Sequence, residues 1–327
     1  MIPLLTVGLP TYNRGKVLAS TITQILNQSF KDFELIIFND GSTDNTFFEI
    51  SNFRDDRIIF INSINLGPPH PLNNIINIAK GKYIIILHDH DFFDQDLLKD
   101  SIIFLETHKE FGFVLQGSSW INEDGITGYK EMLLDLPLLN CGKSNAIRIL
   151  QNKTNFDSFF HACCMIRKSK FEQAGYFFDE KFGLYSDVDL WFRLLAITNF
   201  GYLNKVYFKF RTREANHFLQ NKDLNILQWL FEIQQNSINR IFNSEQELKK
   251  KLDKILTKKR NKHLVKYLFI SLSKKNFEII NNIIQILKKE NTSFLLQFFI
   301  LCIKIKYIQS FFILLIQIIN TIRKKFK

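Results

Sequence analysis

The sequence predicts an α/β protein whose mostly parallel central sheet is flanked by helices. Short, largely apolar runs without polar alternation occur at residues 4–9, 33–38, 57–61 and 83–87. Such runs are typical of strands buried on both faces. Segments with helical periodicity separate them, and strands that alternate with helices build a parallel sheet. Hydrophobic residues make up 46% of the 327 residues, which is enough for a large core.

The first half of the chain gives these elements in order. The run 4–9 ends at Pro10 and is followed by a helix over 16–28, where apolar residues recur every three or four positions. The run 33–38 is closed by the turn 39–42, after which Thr43 or Asp44 is expected to cap a short helix over 46–52. A helix over 72–79, with Gly81 marking its end, connects the third and fourth strands.

The second half continues with less regular spacing. A helix is predicted over 97–108 and a strand over 112–117, followed by an irregular stretch, 121–155, that could form an acceptor loop. Residues 156–166 are apolar and are expected to return to the core. A helix over 187–197 and a strand over 201–210 complete this body. We therefore expect a main domain over residues 1–221 and a helical C-terminal region over 222–327.

Charge is unevenly distributed along the chain. The net charge of +11 suggests at first a nucleic-acid binder, but residues 241–327 hold 19 of the 43 basic residues and only 5 of the 32 acidic ones. The rest of the chain is slightly acidic. No nucleic-acid partner is therefore expected. The four cysteines show no CxxC spacing, which argues against a zinc site and fits a reducing compartment.

Polar residues gather where three of the predicted strands end. Ligands of open α/β sheets bind outside the carboxyl ends of the strands. Those ends carry residues 10–14 (Pro-Thr-Tyr-Asn-Arg), 39–41 (Asn-Asp-Gly) and 88–91 (His-Asp-His-Asp). The arrangement predicts a nucleotide site at this edge of the sheet.

Residues 88–91 are the strongest candidate for a metal site. Asp89 and Asp91 are two residues apart on a turn, and hard divalent cations prefer carboxylate oxygens. His88 and His90 could also ligate, which would suit Mn²⁺ better than Mg²⁺. The alternative is a loop in which Asp91 or Asp94 caps the next helix.

Two further carboxylates have both a chemical and a structural interpretation. Asp40 could accept a hydrogen bond from a base or a ribose, although a turn with Gly41 at positive φ explains the same residues. Asp187 stands at the start of a predicted helix and could take the proton from an acceptor hydroxyl. It could equally serve as an N-cap, as could Ser186.

Taken together, these segments resemble the family 2 glycosyltransferases, which have the Rossmann-like fold called GT-A. The resemblance covers about residues 3–212 and depends on many motifs in the same order rather than on any one. The matching segments are residues 7–14, 25–30, 33–44, 65–68, 79–84 and 175–180, followed by the Asp187 motif.

The resemblance implies an inverting transfer of a sugar from a nucleotide diphosphate sugar to an acceptor hydroxyl, in cell-surface polysaccharide or lipopolysaccharide synthesis. By the same resemblance Pro10, Tyr12, Asp40 and Asp89 would bind the donor nucleotide, and Asp187 would be the general base. The implied cofactor is Mn²⁺ or Mg²⁺. Its ligands would be drawn from Asp89, His90 and Asp91.

Two departures from the family pattern leave an alternative open. His90 stands where the family usually has Asp, so either its imidazole or Asp91 would hold the ion. Leu72 stands where many members have Arg, so a contact to the diphosphate would be missing. A catalytically inactive subunit that binds nucleotide sugars is therefore the main alternative. A nucleotidyltransferase is disfavoured because residues 10–13 replace its glycine-rich phosphate loop.

The C-terminal region is expected to lie on a membrane surface. Residues 294–322 are strongly apolar, lysines interrupt them, and residues 323–325 (Arg-Lys-Lys) close them. The longest uncharged stretch is shorter than a spanning helix needs. We expect interfacial helices with lysines at anionic headgroups; docking on the body and a true span are the alternatives. The apolar N-terminus is too short for a signal peptide, so a cytoplasmic, peripheral enzyme with a glycan or lipid-linked acceptor is expected.

Overall fold

A computed structural model describes residues 2–121, 164–175, 180–211, 224–273 and 277–289. Most of the predicted acceptor loop and the apolar stretch 294–322 lie outside these residues. So does the predicted domain boundary between residues 221 and 222, which stays a prediction.

The first part of the chain alternates strands and helices as the sequence predicts. Its elements are β1 (Leu5–Thr11), α1 (Gly15–Leu26), β2 (Phe33–Asp40), α2 (Thr46–Ser51), β3 (Ile58–Ser63), α3 (His70–Ile78) and β4 (Tyr83–Ile86). The predicted bounds agree to within two residues. One difference concerns the site: Asp40 is the last residue of β2 rather than part of the turn that follows.

The second part contains both the shortest and the longest of the described strands. Its elements are β5 (Phe92–Phe93), α4 (Leu97–Thr107), β6 (Phe111–Ile121), β7 (Cys164–Arg167), α5 (Lys168–Gln173), a 3₁₀ helix (Glu180–Tyr185), α6 (Ser186–Ile197), β8 (Asn199–Arg211), α7 (Leu224–Ile241), α8 (Gln246–Ser273) and α9 (Phe277–Lys289). The two-residue strand β5 is too short for hydrophobic periodicity to reveal it.

The described strands form one sheet in the order β3-β2-β1-β4-β7-β6-β8-β5. Strands β1 to β4 pair in parallel, as do β6 and β8, whereas β7 runs antiparallel to both of its neighbours and β5 runs antiparallel to β8. The predicted α/β class, with a mostly parallel sheet between helices, is confirmed. All eight residues of β2 are buried, as expected for a central strand covered on both faces.

A buried polar group lies at the amino ends of the strands, opposite the candidate site. The Thr6 hydroxyl donates to Glu34 Oε1 (2.6 Å) and accepts the Gly81 N–H (2.9 Å). A Cβ atom on Gly81 would lie 2.4 Å from the Thr6 backbone nitrogen. Glycine at this position is therefore required by the close approach of two backbones rather than by the end of a helix, since α3 already ends at Ile78.

The chain divides into two compact units, residues 1–249 and 250–327. The first contains the sheet and the helices up to α7. In the described part of the second, the buried side chains of α9 recur at helical spacing: Ile280, Ile283 and Ile284. Within the residues that the structure describes, no helix is both long enough and apolar enough to cross a membrane.

Candidate active site

The loops after β1 and β2 are joined by hydrogen bonds into one structure. Asn13, at a φ of +53°, accepts the Thr43 N–H through its side-chain oxygen (2.8 Å), and its own N–H donates to the Ser42 hydroxyl (2.9 Å). The Gly15 N–H donates to Asp44 Oδ2 (3.1 Å). Asparagine is among the few residues that adopt this backbone conformation readily. The two loops therefore hold each other at the carboxyl edge of the sheet.

Two of the predicted donor residues lie on this double loop. Pro10 is half-buried near the end of β1, in register with Phe38 of β2. Tyr12 follows β1 and is 42% exposed. An aromatic ring that is this exposed at a strand end is open to stacking by a planar ligand.

Asp40 is buried and holds a neighbouring loop. Its Oδ1 accepts the Leu66 N–H (2.9 Å) and its Oδ2 accepts the Gly67 N–H (3.0 Å). Each oxygen keeps a further lone pair. The carboxylate therefore orders the loop after β3, a role that the sequence did not predict, and its assignment to the nucleotide stays a prediction.

Asp89 lies at the centre of a charged group. It is 7% exposed, and its Oδ1 lies 3.2 Å from Arg14 Nε and 2.9 Å from His90 Nδ1. Arg14 belongs to the loop after β1, so its ion pair connects that loop to residues 88–91, which we call the His-Asp turn. The sequence motif includes Arg14 but gives no sign that it reaches a carboxylate 75 residues away.

These contacts set the protonation of the pair. Burial works to raise the pKa of Asp89, but the hydrogen bond from His90 and the charge of Arg14 hold that pKa below its usual value. Burial works to lower the pKa of His90, and the hydrogen bond to Asp89 together with the charge of Asp91 raises it instead. The pair therefore favours a proton on His90 Nδ1, directed at Asp89.

Three side chains of the His-Asp turn form a possible metal site. Ligand atoms of His88, His90 and Asp91 all lie within 4.8 Å of one another. His90 Nε2 lies 3.7 Å from Asp91 Oδ1, and His88 Nδ1 lies 3.8 Å from Asp91 Oδ2. A cation about 2.1 Å from each ligand holds its ligands roughly 3 to 4 Å apart, so the group fits a cation after small side-chain rotations.

His90 and Asp91 of the predicted ligand set belong to this three-residue group, as does His88, which the sequence also suggested as a ligand. Their role as metal ligands stays a prediction. Asp89 directs its Oδ1 at Arg14 and His90 instead, so its place as a direct ligand stays a prediction. Two imidazoles and one carboxylate suit Mn²⁺ and other transition metals better than Mg²⁺.

A cavity of about 190 Å³ lies beside the His-Asp turn. His90, Asp91 and Phe92 line one side of it, and residues of α1, among them Lys16 and Ser20, line the other. The turn therefore has open space between itself and α1. On its other side the His88 ring contacts Phe210 of β8, with ring centroids 6.4 Å apart.

Asp187 lies in the first turn of α6 and is half-buried. The same helix is fixed by Asp189, whose carboxylate is 3% exposed and lies 2.7 Å from Arg193 Nε and 3.7 Å from Arg240 of α7. Arg193 also donates to the Ala174 carbonyl oxygen at 2.5 Å. This buried ion pair gives α6 a defined position, which the sequence reading of the segment as an N-cap did not foresee.

Comparison with known proteins finds a matching family and individual relatives. The model of the family described as glycosyl transferase family 2 matches residues 6–175. An uncharacterised glycosyltransferase of Methanocaldococcus jannaschii is 29% identical over 226 residues, covering 66% of this chain and 73% of its own length.

Two further similarities concern a shorter stretch of sequence and the fold alone. The UDP-Glc:α-D-GlcNAc-diphosphoundecaprenol β-1,3-glucosyltransferase WfaP of Escherichia coli is 35% identical over 109 residues, which is 33% of this chain and 43% of that protein. The crystal structure of S. aureus TarS residues 1–349 with UDP-GlcNAc superposes with a TM-score of 0.60 at 21% identity, covering 80% of this chain and 72% of that one. This likeness shows a shared GT-A fold.

Proposed function

Since the chain belongs to glycosyl transferase family 2 and carries its glycosyltransferase domain, we propose that it moves a sugar from a nucleotide diphosphate sugar to an acceptor hydroxyl, with inversion at the anomeric carbon. The observation that supports this most directly is the group formed by Arg14, Asp89 and the three possible metal ligands at the carboxyl edge of the sheet. This is where open α/β sheets bind nucleotides.

The donor nucleotide is proposed to lie across the ends of β1, β2 and β4. The exposed ring of Tyr12 would stack on the base, beside Pro10. Asp40 would accept a hydrogen bond from the base through a remaining lone pair, and Asp89 would contact the ribose. Because Arg14 already neutralises Asp89, a neutral sugar hydroxyl can approach that carboxylate without leaving a buried charge unpaired.

The diphosphate is proposed to lie against the His-Asp turn. A divalent cation bound there would neutralise the charge that develops on the departing diphosphate. His90, held through Nδ1 by Asp89, presents Nε2 on the side of Asp91. An imidazole oriented by a carboxylate in this way is a common arrangement among metal ligands. Mn²⁺ fits this donor set better than Mg²⁺.

Asp187 is proposed to be the general base. Its carboxylate takes the proton of the acceptor hydroxyl while that oxygen forms a bond to the anomeric carbon. The bond from the same carbon to the diphosphate oxygen breaks on the opposite face, which inverts the configuration. A positioned base of this kind contributes roughly 10² to 10⁴-fold to the rate.

The acceptor is proposed to be a lipid-linked glycan at the inner face of the cell membrane. The E. coli relative, by its name, glucosylates a sugar linked to diphosphoundecaprenol. The basic excess of residues 241–327 would favour an anionic membrane surface and a cytoplasmic, peripheral location. Deletion of residues 250–327, the second compact unit, would test the attachment: vesicle binding should fall while transfer to a soluble acceptor persists.

An inactive subunit that binds nucleotide sugars remains the second candidate. His90 and Leu72, where the family usually has Asp and Arg, are the observations that favour it. The two candidates differ in one measurable property: both bind the donor, but only the enzyme forms product.

The test combines donor binding with product formation. Nucleotide diphosphate sugars are screened by thermal shift with and without Mn²⁺, and the donor that binds is incubated with a diphosphate-lipid sugar acceptor. Asp187→Asn should reduce transfer by at least about 10²-fold and leave donor binding unchanged. The anomeric configuration of the product, read by NMR, tests inversion.

Asp56→Asn serves as the matched control, because Asp56 is exposed and lies just before β3, at the amino edge of the sheet and away from the candidate site. It should behave as the unmodified protein in every assay. Transfer that survives in Asp187→Asn would exclude this residue as the base. Donor binding without any product from the unmodified protein would favour the inactive subunit.

A further inference from the structure

Helix α1 and the residue two positions after its end carry polar side chains that bond to the segment following β4. The Thr21 hydroxyl donates to the Asp89 carbonyl oxygen (3.1 Å), and the Gln24 side-chain oxygen accepts the Phe93 N–H (3.1 Å). Gln28 donates to the Asp94 carbonyl oxygen (2.8 Å) and accepts the Leu98 N–H (3.2 Å). Thr21 and Gln24, three residues apart, share a face of α1, and Gln28 continues this row beyond the helix end at Leu26, so the row follows the segment 89–98.

Thr21 and Gln24 bond to the segment on either side of two of the candidate ligands. Thr21 bonds to the backbone at residue 89, and Gln24 bonds to it at residue 93. Between these points, residues 90–92 line the cavity of about 190 Å³, and Thr21 and Gln24 line it from α1. The two hydrogen bonds therefore fasten the backbone on both sides of His90 and Asp91 to α1.

The sheet supplies further supports of this segment. The Leu87 N–H donates to the Gly8 carbonyl oxygen (2.8 Å) before the turn, and β5 pairs with β8 after it. The Asp94 N–H donates to the Tyr207 carbonyl oxygen (2.8 Å). The sheet thus holds both ends of the segment, and Thr21 and Gln24 bond it to α1 at residues 89 and 93.

We propose that Thr21 and Gln24 are positioning residues for the metal site, a proposal that rests on the metal-dependent transfer proposed above. They hold His88, His90 and Asp91 within reach of one cation by fixing the backbone at residues 89 and 93. Gln28 belongs to the same row but acts on the start of α4, farther from the ligands. It provides the matched control.

The experiment measures Mn²⁺ binding to the full chain by electron paramagnetic resonance. Thr21→Val and Gln24→Met remove the hydrogen bonds at nearly constant volume, whereas Thr21→Ser and Gln24→Glu keep them. We expect the first pair to bind Mn²⁺ about tenfold more weakly, at the lower end of the effect of lost outer contacts on metal sites. The second pair and Gln28→Met should stay within about twofold of the unmodified protein. The charge that Gln24→Glu adds cannot by itself weaken cation binding.

Hydrogen exchange separates positioning from a general loss of stability. In Thr21→Val and Gln24→Met the amides of residues 89–93 should exchange faster, while those of β1 and β2 exchange as before. Equal Mn²⁺ affinity in the two pairs would overturn the proposal and leave the proposed function intact. A loss of Mn²⁺ affinity in Gln28→Met as large as that in Gln24→Met would also overturn the proposal. If the unmodified protein binds no Mn²⁺, the metal site itself fails, and this proposal fails with it.

Discussion

Replacement of Asp40 by asparagine tests whether this buried carboxylate organises the loop after β3. The carboxylate accepts two backbone N–H groups, from Leu66 and Gly67, and it is 5% exposed. Asparagine keeps one acceptor oxygen and turns an amide NH₂ toward the other N–H. One N–H then loses its partner, and the surviving bond loses its charge.

The magnitude follows from these two losses. A hydrogen bond to a charged group contributes about 1.5 to 3 kcal/mol and a neutral one about 1 kcal/mol, so the two changes together should lower the free energy of unfolding by about 3 kcal/mol. The unit that contains Asp40 has 249 residues. For a domain of this size, 1 kcal/mol shifts Tm by about 2 to 4 °C, which gives a decrease of about 6 to 12 °C.

Calorimetric unfolding measures the stability, and hydrogen exchange of residues 64–67 localises the effect. Asp32→Asn is the control, because Asp32 is exposed just before β2. A loss below about 1 kcal/mol, with unchanged exchange in residues 64–67, would refute the reasoning, because the loss of one hydrogen bond to a charged group alone exceeds that value.

Three other substitutions test separate parts of the first unit. Hydrogen bonds from Lys109, which has the larger effect, and from Lys82 lower the pKa of Glu106 from 4.5 to about 2. The stability lost in Glu106→Gln should therefore be constant above about pH 5 and vanish as pH falls toward 2, which urea unfolding across pH measures. Gly81→Ala forces a Cβ against the β1 backbone and should cost about 3 kcal/mol or prevent folding, measured by the same unfolding assay. Asp189→Asn leaves the Arg193 guanidinium buried without its counter-charge and should cost about 3 kcal/mol by calorimetry.

Each of these substitutions has a control in the chain. Glu110→Gln changes an exposed glutamate near Glu106 and should show no pH-dependent difference. At Gly67 a Cβ meets nothing within 4 Å, so Gly67→Ala should cost only about 1 kcal/mol, from its φ of +71°. Glu232→Gln, which breaks a solvent-exposed ion pair with Lys181, is the control for Asp189→Asn and should cost less than about 1 kcal/mol. Equal effects within any pair would contradict the corresponding argument.

The part of the fold that local sequence determines could be predicted closely. Strands such as β2 are largely apolar because helices cover both faces, and this leaves a recognisable pattern in the sequence. The direction of β7 could not be read, because hydrophobicity shows that a strand is buried and not which way it runs. The two-residue strand β5 is defined by its pairing with β8, which local sequence does not encode.

The candidate site, like the fold, could be predicted from the sequence only in part. The sequence places carboxylates and histidines after strand ends, and the topology of parallel sheets brings those ends to one edge. The contacts that determine the role of each side chain join residues that are far apart in the sequence. Arg14 reaches Asp89 across 75 positions, and Asp40 bonds to a loop 26 positions away. Such pairings depend on the packed geometry, so the sequence suggested the participants and left their partners unknown.

The hydrogen bonds between the loops after β1 and β2 have a consequence for redesign. Because Asn13 bonds to Thr43 and Gly15 bonds to Asp44, neither loop has a conformation that is independent of the other. A chimaera that borrows residues 12–15 from a homologue would present a foreign surface to the original residues 42–46. Grafts intended to alter substrate preference should therefore exchange both segments together, as a single cassette.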